Sequence, residues 1–196
     1  MVSALMDRLP FRPFELGLFY SLQIVGTPKN LTCVSSVTVR EGGEADLEAM
    51  TRCTDKPERF LSRFRQGDRC LLALEGDEVA GFIWFSVRPL YQEEMTGYRL
   101  PVPDNVVYSY DEYVSPAHRQ KGILGQMFAF LWNWMSLNGK DTIMILIFHD
   151  NEVSWQAHLK KGFAPRDRIL YLRFFGARFY RVQPAGLAFK DATPPC

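Results

Sequence analysis

The chain has 196 residues, of which 47% are hydrophobic and 23% charged, as is typical of a soluble globular domain. Its formal net charge of +1 gives no overall positive field, which argues against a nucleic-acid-binding protein. No apolar run approaches the roughly 20 residues of a membrane-spanning helix, and the N-terminus lacks the basic and apolar regions of a cleaved signal, so we expect a cytoplasmic protein with no membrane span.

The four cysteines and three histidines show no metal-binding pattern. None of the cysteines forms a C-x-x-C pair or lies at metal-ligand spacing from a histidine. We therefore expect no metal, and free thiols in a reducing compartment, for Cys33, Cys53, Cys70 and Cys196.

Residues 1–35 are predicted to form an N-terminal extension. Pro10, Pro13 and Pro28 interrupt it, and between them lies the apolar segment 14–25. This segment is compatible with an extra strand, a short helix or an arm that lies on a partner. We favour an extension that packs on its own domain.

Residues 37–104 are predicted to contain three strands, two helices and a long loop. Pro57 suits the first turn of a helix, where its missing N–H costs nothing. The loop 88–104 is longer than most connections, and its Glu93 and Glu94 could face an acceptor. The predicted elements are a strand at 37–40, helices at 44–51 and 57–67, and strands at 69–76 and 78–87.

The stretch 106–125 is predicted to form a strand, a tight turn and a helix. β-branched and aromatic residues mark the strand, Pro116 ends it, and apolar residues at three- and four-residue spacing mark the helix from Ile123 onward. A helix N-terminus carries unpaired N–H groups and a partial positive charge, which suit a phosphate. Gly122 permits close approach of the backbone, so the turn indicates either a phosphate cradle or a plain helix cap.

The C-terminal part is predicted to contain a buried strand, a helix and two closing strands. The apolar run 142–148 suits a strand that is buried on both faces. Asn151 suits the N-cap of a helix that ends at Gly162. The closing strands are predicted at 168–175 and 178–182, and a C-terminal tail at 183–196.

Two motifs resemble those of a known family. The sequence VSPAHRQKGILG, at 114–125, resembles motif A of the GNAT superfamily, the GCN5-related N-acetyltransferases, whose signature is Arg or Gln, two residues, Gly, one residue, then Gly or Ala. Arg119 and Gly122 fit this signature, whereas Leu124 stands at its last position. The sequence NEVSWQAHLKKGF, at 151–163, resembles motif B.

The resemblance implies an α/β (α+β) fold with a single GNAT-like domain at 36–182. The central sheet is then expected to be mixed and mostly antiparallel, with about seven strands flanked by helices. The strands before motif A and motif B are expected to be parallel neighbours that splay apart and leave a cofactor cleft between them.

The same resemblance implies acetyl-CoA as the acyl donor. It maps pantetheine contacts onto the backbone of Glu112, Tyr113 and Val114, and a further contact onto Asn151, which begins motif B. The pyrophosphate is expected at the turn and the helix end, on Arg119, Gln120, Lys121, Gly122, Ile123, Leu124 and Gly125.

Three residues are candidates for acid–base catalysis: His158, Glu112 and Tyr110. Family members often carry a tyrosine acid seven residues after the motif B asparagine, and here that position is His158, on the same helix face as Asn151. Strand alternation predicts that Tyr110 and Glu112 share one face, with Asp111 on the other. The resemblance places a base or water-holding group near Tyr110, and Glu112 is the only carboxylate on that face.

Each candidate also has a structural interpretation. His158 could be a partly buried histidine that stands in place of the tyrosine, and Asp111 or Glu112 could be an ion-pair partner. His149, at the end of the buried strand, is a further candidate base or a plain strand end.

These features predict an acetyl-CoA-dependent N-acetyltransferase in which a primary amine attacks the thioester directly in a ternary complex. The expected acceptor is a small-molecule amine, and a homodimer is compatible with the sequence. The alternatives are an acyltransferase with a longer acyl donor, and a degenerate GNAT-like domain that binds CoA or a protein partner without catalysis.

Overall fold

A computed structural model describes residues 14–27 and 37–185. This part of the chain contains ten strands, four helices and two 3-10 turns, at Glu44–Asp46 and Pro116–His118. The strands are β1 (Phe14–Val25), β2 (Thr38–Gly42), β3 (Arg69–Glu75), β4 (Glu78–Ser86), β5 (Leu90–Gln92), β6 (Arg99–Pro101), β7 (Val106–Val114), β8 (Thr142–Phe148), β9 (Ala164–Phe174) and β10 (Ala177–Pro184). The helices are α1 (Leu47–Cys53), α2 (Pro57–Arg65), α3 (Ile123–Leu137) and α4 (Glu152–Lys161).

Eight of the strands form one sheet in the order β10-β9-β1-β8-β7-β4-β3-β2. Neighbouring strands pair antiparallel except β7 and β8, which are parallel and are joined through α3. The prediction of a mixed, mostly antiparallel sheet flanked by helices is confirmed, with eight strands where about seven were expected.

The helices cover both faces of this sheet. Phe128 and Leu131 of α3 are fully buried against strand residues such as Ile145 on one face, where Trp155 of α4 also packs. Phe60 of α2 packs on the opposite face with Met50, Phe82 and Trp84. The apolar spacing of α3 therefore marks the side that packs on the sheet, as the sequence predicts.

The apolar segment that precedes the family motifs is a strand inside the sheet. β1 pairs with β8 from Phe19 to Val25 and with β9 from Phe14 to Gln23, and Leu22 is completely buried between them. Of the three conformations left open for 14–25, the extra strand is the one adopted. β1 lies between β8 and β9, away from the edges of the sheet. Apolar residues such as Leu22 suit this internal position because they are buried there.

The segment 88–104 is more ordered than the predicted loop, because β5 and β6 pair as a hairpin within it. The Glu93 carboxylate accepts hydrogen bonds from the amides of Met95 and Thr96, and the Glu94 carboxylate binds Arg63. Both glutamates of this segment therefore bind groups of the protein itself.

No helix in the described ranges is both long enough and apolar enough to span a membrane. Cys53 and Cys70 are free thiols, as expected, while Cys33 and Cys196 lie outside the described residues. The division into 1–35, 36–182 and 183–196 stays a prediction, since 1–13, 28–36 and 186–196 also lie outside them.

Candidate active site

The turn before α3 leaves the N-terminus of that helix open, and we call residues 120–125 the phosphate cradle after their predicted role. Gln120 and Gly122 adopt left-handed backbone conformations, with φ of 64° and 79°, and Gly122 is the N-cap of α3. This curvature leaves the first-turn amides of α3 at an open helix end, where they have no partner within the helix. Glycine meets the left-handed requirement without steric cost, which explains the residue type at 122.

The loop that leads into the cradle is fixed by a buried histidine. Nε2 of His118 lies 2.8 Å from Oε2 of Glu75, and its Nδ1 lies 2.5 Å from Oγ of Ser115. Nε of Arg119 donates to the Val114 carbonyl at 3.2 Å. These contacts tie the loop to the β3–β4 hairpin and to the end of β7, so the cradle has a defined position.

A groove of about 940 Å³ runs from the cradle along α4. Its walls include Leu124 and Gly125 on one side, and Val153, Lys160 and Lys161 on the other. Burial lowers the pKa of the Lys161 ammonium group. The cations of the groove supply the positive field that the overall net charge does not.

The groove continues into a second space of about 610 Å³ between the ends of β7 and β8. Pairing of these two strands covers only Val106 to Tyr108 on β7, and in the described chain β7 does not pair with β8 beyond Tyr108. The strands separate there, as the predicted cofactor cleft requires. The two spaces form one cleft, since both are lined by Val114, Arg119, Leu124, Val153 and Ala157.

A β-bulge in β7 determines which side chains face this cleft. Phe82 of β4 pairs with Tyr113 and Trp84 pairs with Tyr110, so Asp111 and Glu112 stand opposite one residue of β4. Asp111 has a φ of 45°, in the left-handed region. The extra residue reverses the alternation of side chains along the rest of the strand.

The prediction that Tyr110 and Glu112 share a face is wrong for this reason. The Tyr110 ring packs with the residues on the α2 face, and its hydroxyl donates to Asp68 at 2.7 Å. Burial raises the pKa of this hydroxyl. Glu112 instead lies on the α4 face with Ser109. The one local signal for the bulge is Asp111, because aspartate is depleted in strands and tolerates the left-handed region.

Glu112 and His158 form a buried pair within the cleft. Oε2 of Glu112 lies 3.0 Å from Nε2 of His158, and Oε1 accepts a hydrogen bond from Oγ of Ser109 at 2.9 Å. Their side chains are 12% and 5% exposed. Nδ1 of His158 donates to the Ser154 carbonyl at 2.7 Å, because a carbonyl oxygen only accepts.

These contacts set the protonation of the pair. Burial disfavours the imidazolium, but the charge of Glu112 and its hydrogen bond outweigh burial and raise the pKa of His158. Burial also disfavours the carboxylate, yet the charge and hydrogen bond of His158 lower the pKa of Glu112. Their mutual attraction favours an imidazolium next to a carboxylate, a form in which His158 carries a proton that can be given to a group in the cleft.

The other predicted site residues divide into two groups. Asn151 lines the cleft and is the N-cap of α4, where its Oδ1 accepts from the Ser154 amide at 3.2 Å. Lys121 is exposed in the turn, and His149 is exposed at the end of β8. Sequence reasoning missed Ser109 as a partner of Glu112 and Lys161 as a wall of the groove.

No three His, Cys, Asp or Glu side chains in the described part of the chain are grouped so as to hold a metal ion.

Solved structures share this fold at low sequence identity. A GCN5-related N-acetyltransferase from Kribbella flavida is 12% identical, with a TM-score of 0.53, over 96% of this chain and 66% of that one. A tandem GNAT protein from the clavulanic acid biosynthesis pathway is 12% identical, with a TM-score of 0.56, over 88% and 55%. The protein AAC(6')-Iy, in complex with the bisubstrate analogue CoA-S-monomethyl-acetylneamine, is 20% identical, with a TM-score of 0.52, over 66% and 92%. These likenesses show the fold alone.

The chain spans 63% of a functionally unknown conserved protein from Staphylococcus epidermidis and 53% of a Drosophila protein that it also matches. No curated protein sequence matches it. The sequence model of the acetyltransferase (GNAT) family matches residues 39–163, well over half of the chain. This match agrees with the two motifs and the splayed strands, and the chain belongs to the GNAT acetyltransferase family.

Proposed function

We propose that the protein is an acetyl-CoA-dependent N-acetyltransferase that acetylates a primary amine of a small molecule by direct attack in a ternary complex. The observation that carries this proposal is the single cleft that leads from the phosphate cradle to the buried pair of His158 and Glu112. The complex of AAC(6')-Iy with a CoA-linked acetylneamine supports a small amine as the acceptor.

The residues of the cleft fit acetyl-CoA. The amides of Ile123, Leu124 and Gly125 would bind the pyrophosphate at the helix end, with Lys160 and Lys161 opposite. The edge of β7 beyond the bulge would accept the pantetheine arm as an added strand. Acetyl-CoA itself supplies the thioester carbonyl that the amine attacks.

His158 is assigned the role of proton donor to the departing thiolate. In the reaction the amine nitrogen bonds to the carbonyl carbon and loses a proton to water, the carbon–sulfur bond breaks, the imidazolium gives a proton to sulfur, and the neutral imidazole then takes up a proton from water. A thiolate accepts a proton from an imidazolium readily, because the ordinary pKa of a thiol, about 8.5, lies above the ordinary pKa of histidine, about 6.5. Glu112 keeps His158 charged within a buried site, and Tyr110 on the opposite face is assigned to strand packing.

Calorimetric titration with acetyl-CoA tests the cofactor site. Gly122 and Gly139 both have a positive φ, of 79° and 66°, and they flank opposite ends of α3. We expect Gly122→Glu to abolish micromolar binding, because its carboxylate repels the pyrophosphate, and Gly139→Glu to leave binding unchanged. The proposal fails if the folded wild-type protein binds no acetyl-CoA. Equal losses of acetyl-CoA affinity in both variants would show that the cradle is not the binding site for the pyrophosphate.

Turnover with a panel of small amines tests the chemistry. We expect His158→Gln to lower kcat by about 10²–10⁴-fold, the usual contribution of a positioned acid, and to leave acetyl-CoA affinity unchanged. An unchanged kcat would contradict the assignment of His158. Comparison of acetyl-CoA with butyryl-CoA identifies the preferred acyl length.

One observation favours the alternative of a non-catalytic CoA-binding domain. Leu124 occupies the last position of the motif A signature, where glycine or alanine is expected, and its side chain lines the cleft. Tight acetyl-CoA binding with no turnover across the amine panel would establish this alternative. The pair of His158 and Glu112 is the reason to favour catalysis.

A further inference from the structure

Arg63 of α2 is a buried cation between α2, the β5–β6 hairpin and β7. Its side chain is 4% exposed. Nε and Nη2 donate to the Glu94 carboxylate at 2.7 and 2.8 Å, and Nη1 donates to Oδ2 of Asp111 at 2.5 Å. The guanidinium also lies against three aromatic rings, of Phe60, Trp84 and Tyr110, at 5.7, 5.1 and 4.9 Å from their centroids.

The bond to Asp111 acts on the irregular point of β7. Asp111 is the bulge residue in the left-handed region, a conformation that costs free energy for any residue with a side chain. Such a conformation persists where surrounding groups hold it. Two cations do so here, because Nζ of Lys56 also lies 3.6 Å from the Asp111 carboxylate.

The bulge in turn decides the face on which Glu112 lies. With the bulge, Glu112 and Ser109 share the face on which α4 presents His158. Without the extra residue, the alternation of the strand would direct Glu112 to the opposite face. The position of the Glu112 carboxylate therefore depends on Asp111, and through Asp111 on Arg63.

We propose that Arg63 is a positioning residue of the active site, whose bond to Asp111 holds the bulge that turns Glu112 towards His158. Its effect on turnover rests on the function proposed above. Its effect on the buried pair does not, because the contact between Glu112 and His158 is made by side chains of the protein itself. Arg63 therefore links the inner face of α2 to the cleft on the other side of the sheet.

The test follows the protonation of His158 by NMR, which is favourable because the chain has only three histidines. The charged groups that affect His158 are Glu112 from β7 and Lys161 from its own helix, with the rings of Phe128 and Phe163 packed against it. A shift in the His158 titration therefore reports on its contact with Glu112.

Asp111→Ala is the main variant, because alanine loses the bond to Arg63 and keeps the cost of the left-handed conformation with no group to hold it. Asp111→Asn is its matched control, since asparagine also lacks the charge but tolerates the left-handed region and can accept a hydrogen bond from Arg63. We expect Asp111→Ala to lower the pKa of His158 towards its ordinary value, to lower kcat at least about tenfold and to raise the KM for acetyl-CoA, because the strand edge that would pair with pantetheine begins at the bulge. Asp111→Asn should change all three much less.

Arg63→Lys tests the arginine itself while it keeps the charge, and Glu94→Gln tests the other side of the cluster. We expect Arg63→Lys to behave like Asp111→Ala, and Glu94→Gln to leave the His158 titration unchanged. An unchanged His158 titration in both folded Asp111→Ala and Arg63→Lys would overturn the proposal. If the variants shift the His158 titration but the wild-type protein shows no acetyl transfer, the positioning role of Arg63 is retained and the proposed function is refuted.

Discussion

Replacement of His158 by leucine should destabilise the protein strongly, because it leaves the Glu112 carboxylate buried without its partner. Removal of one member of a buried ion pair typically costs about 3–5 kcal/mol. Both side chains are nearly inaccessible, at 5% and 12%, so solvent screening reduces this cost little. Ser109 still donates to Oε1, and Glu112 can take up a proton, so we expect about 3 kcal/mol.

The double variant His158→Leu/Glu112→Leu should recover most of this loss. Replacement of both members of a buried pair by apolar groups is often neutral or stabilising. The recovered stability identifies the uncompensated charge, rather than a cavity, as the cause of the single-variant effect. His149→Leu is the surface control, since His149 is exposed.

The cost should also depend on pH. The pKa of His158 is raised from 6.5, so its contribution is complete below pH 6.5 and is lost as pH rises through the folded-state value. The pKa of Glu112 is lowered from 4.5, so its contribution is complete above pH 4.5 and is lost as pH falls through the folded-state value. The pair therefore contributes most between pH 4.5 and 6.5.

Urea unfolding followed by tryptophan fluorescence, from pH 4 to 9, measures these differences. We expect the free energy difference between the wild type and His158→Leu to be largest in that window and smaller on either side. A difference that does not vary with pH, or a single variant no less stable than His149→Leu, would refute the reasoning. A double variant as unstable as the single one would indicate lost packing instead.

Two further substitutions test the fold around the cleft. A Cβ on Gly81 of β4 would lie 2.6 Å from the Tyr113 carbonyl oxygen. Gly81→Ala should therefore lower the free energy of unfolding in urea by about 1–3 kcal/mol and weaken acetyl-CoA binding. Gly43→Ala is the control and should do neither, because nothing lies within 4 Å of its Cβ position. Leu22 of β1 is fully buried, so Leu22→Ala should lower the free energy of unfolding by about 2–5 kcal/mol. Leu16 of the same strand is 59% exposed, so Leu16→Ala should lower it by less than about 0.5 kcal/mol. Similar effects at the two sites would contradict the internal position of β1.

The elements that the sequence predicts well are those specified by local chemistry. Gly122 fits a left-handed N-cap, and the apolar spacing after it fits a helix on a sheet, so the turn and the start of α3 could be recognised within a dozen residues. Asn151 caps α4 as expected, which places His158 two turns later on the face that lines the cleft. Such local rules hold whatever the distant parts of the chain do.

The features that the sequence does not predict depend on long-range pairing. The apolar segment 14–25 is compatible with a strand, but the strands that pair with it, β8 and β9, come more than 100 residues later in the chain. No local sequence pattern therefore identifies them. The bulge at Asp111 likewise depends on register with β4 and on Arg63 in another helix. A single extra residue was enough to place Glu112 with His158 and to separate it from Tyr110.

The same bulge gives the cleft two properties that the proposed reaction needs together. It lies where β7 leaves β8, so the strand edge that would pair with pantetheine begins next to it, and it also turns the Glu112 carboxylate towards His158. A variant of the cradle such as Gly122→Glu should therefore weaken cofactor binding alone. A variant that collapses the bulge should change both the binding of the pantetheine arm and the protonation of His158. Cofactor position and acid strength are thus linked through one backbone irregularity, because the same residue determines the course of the strand and the direction of its next side chain.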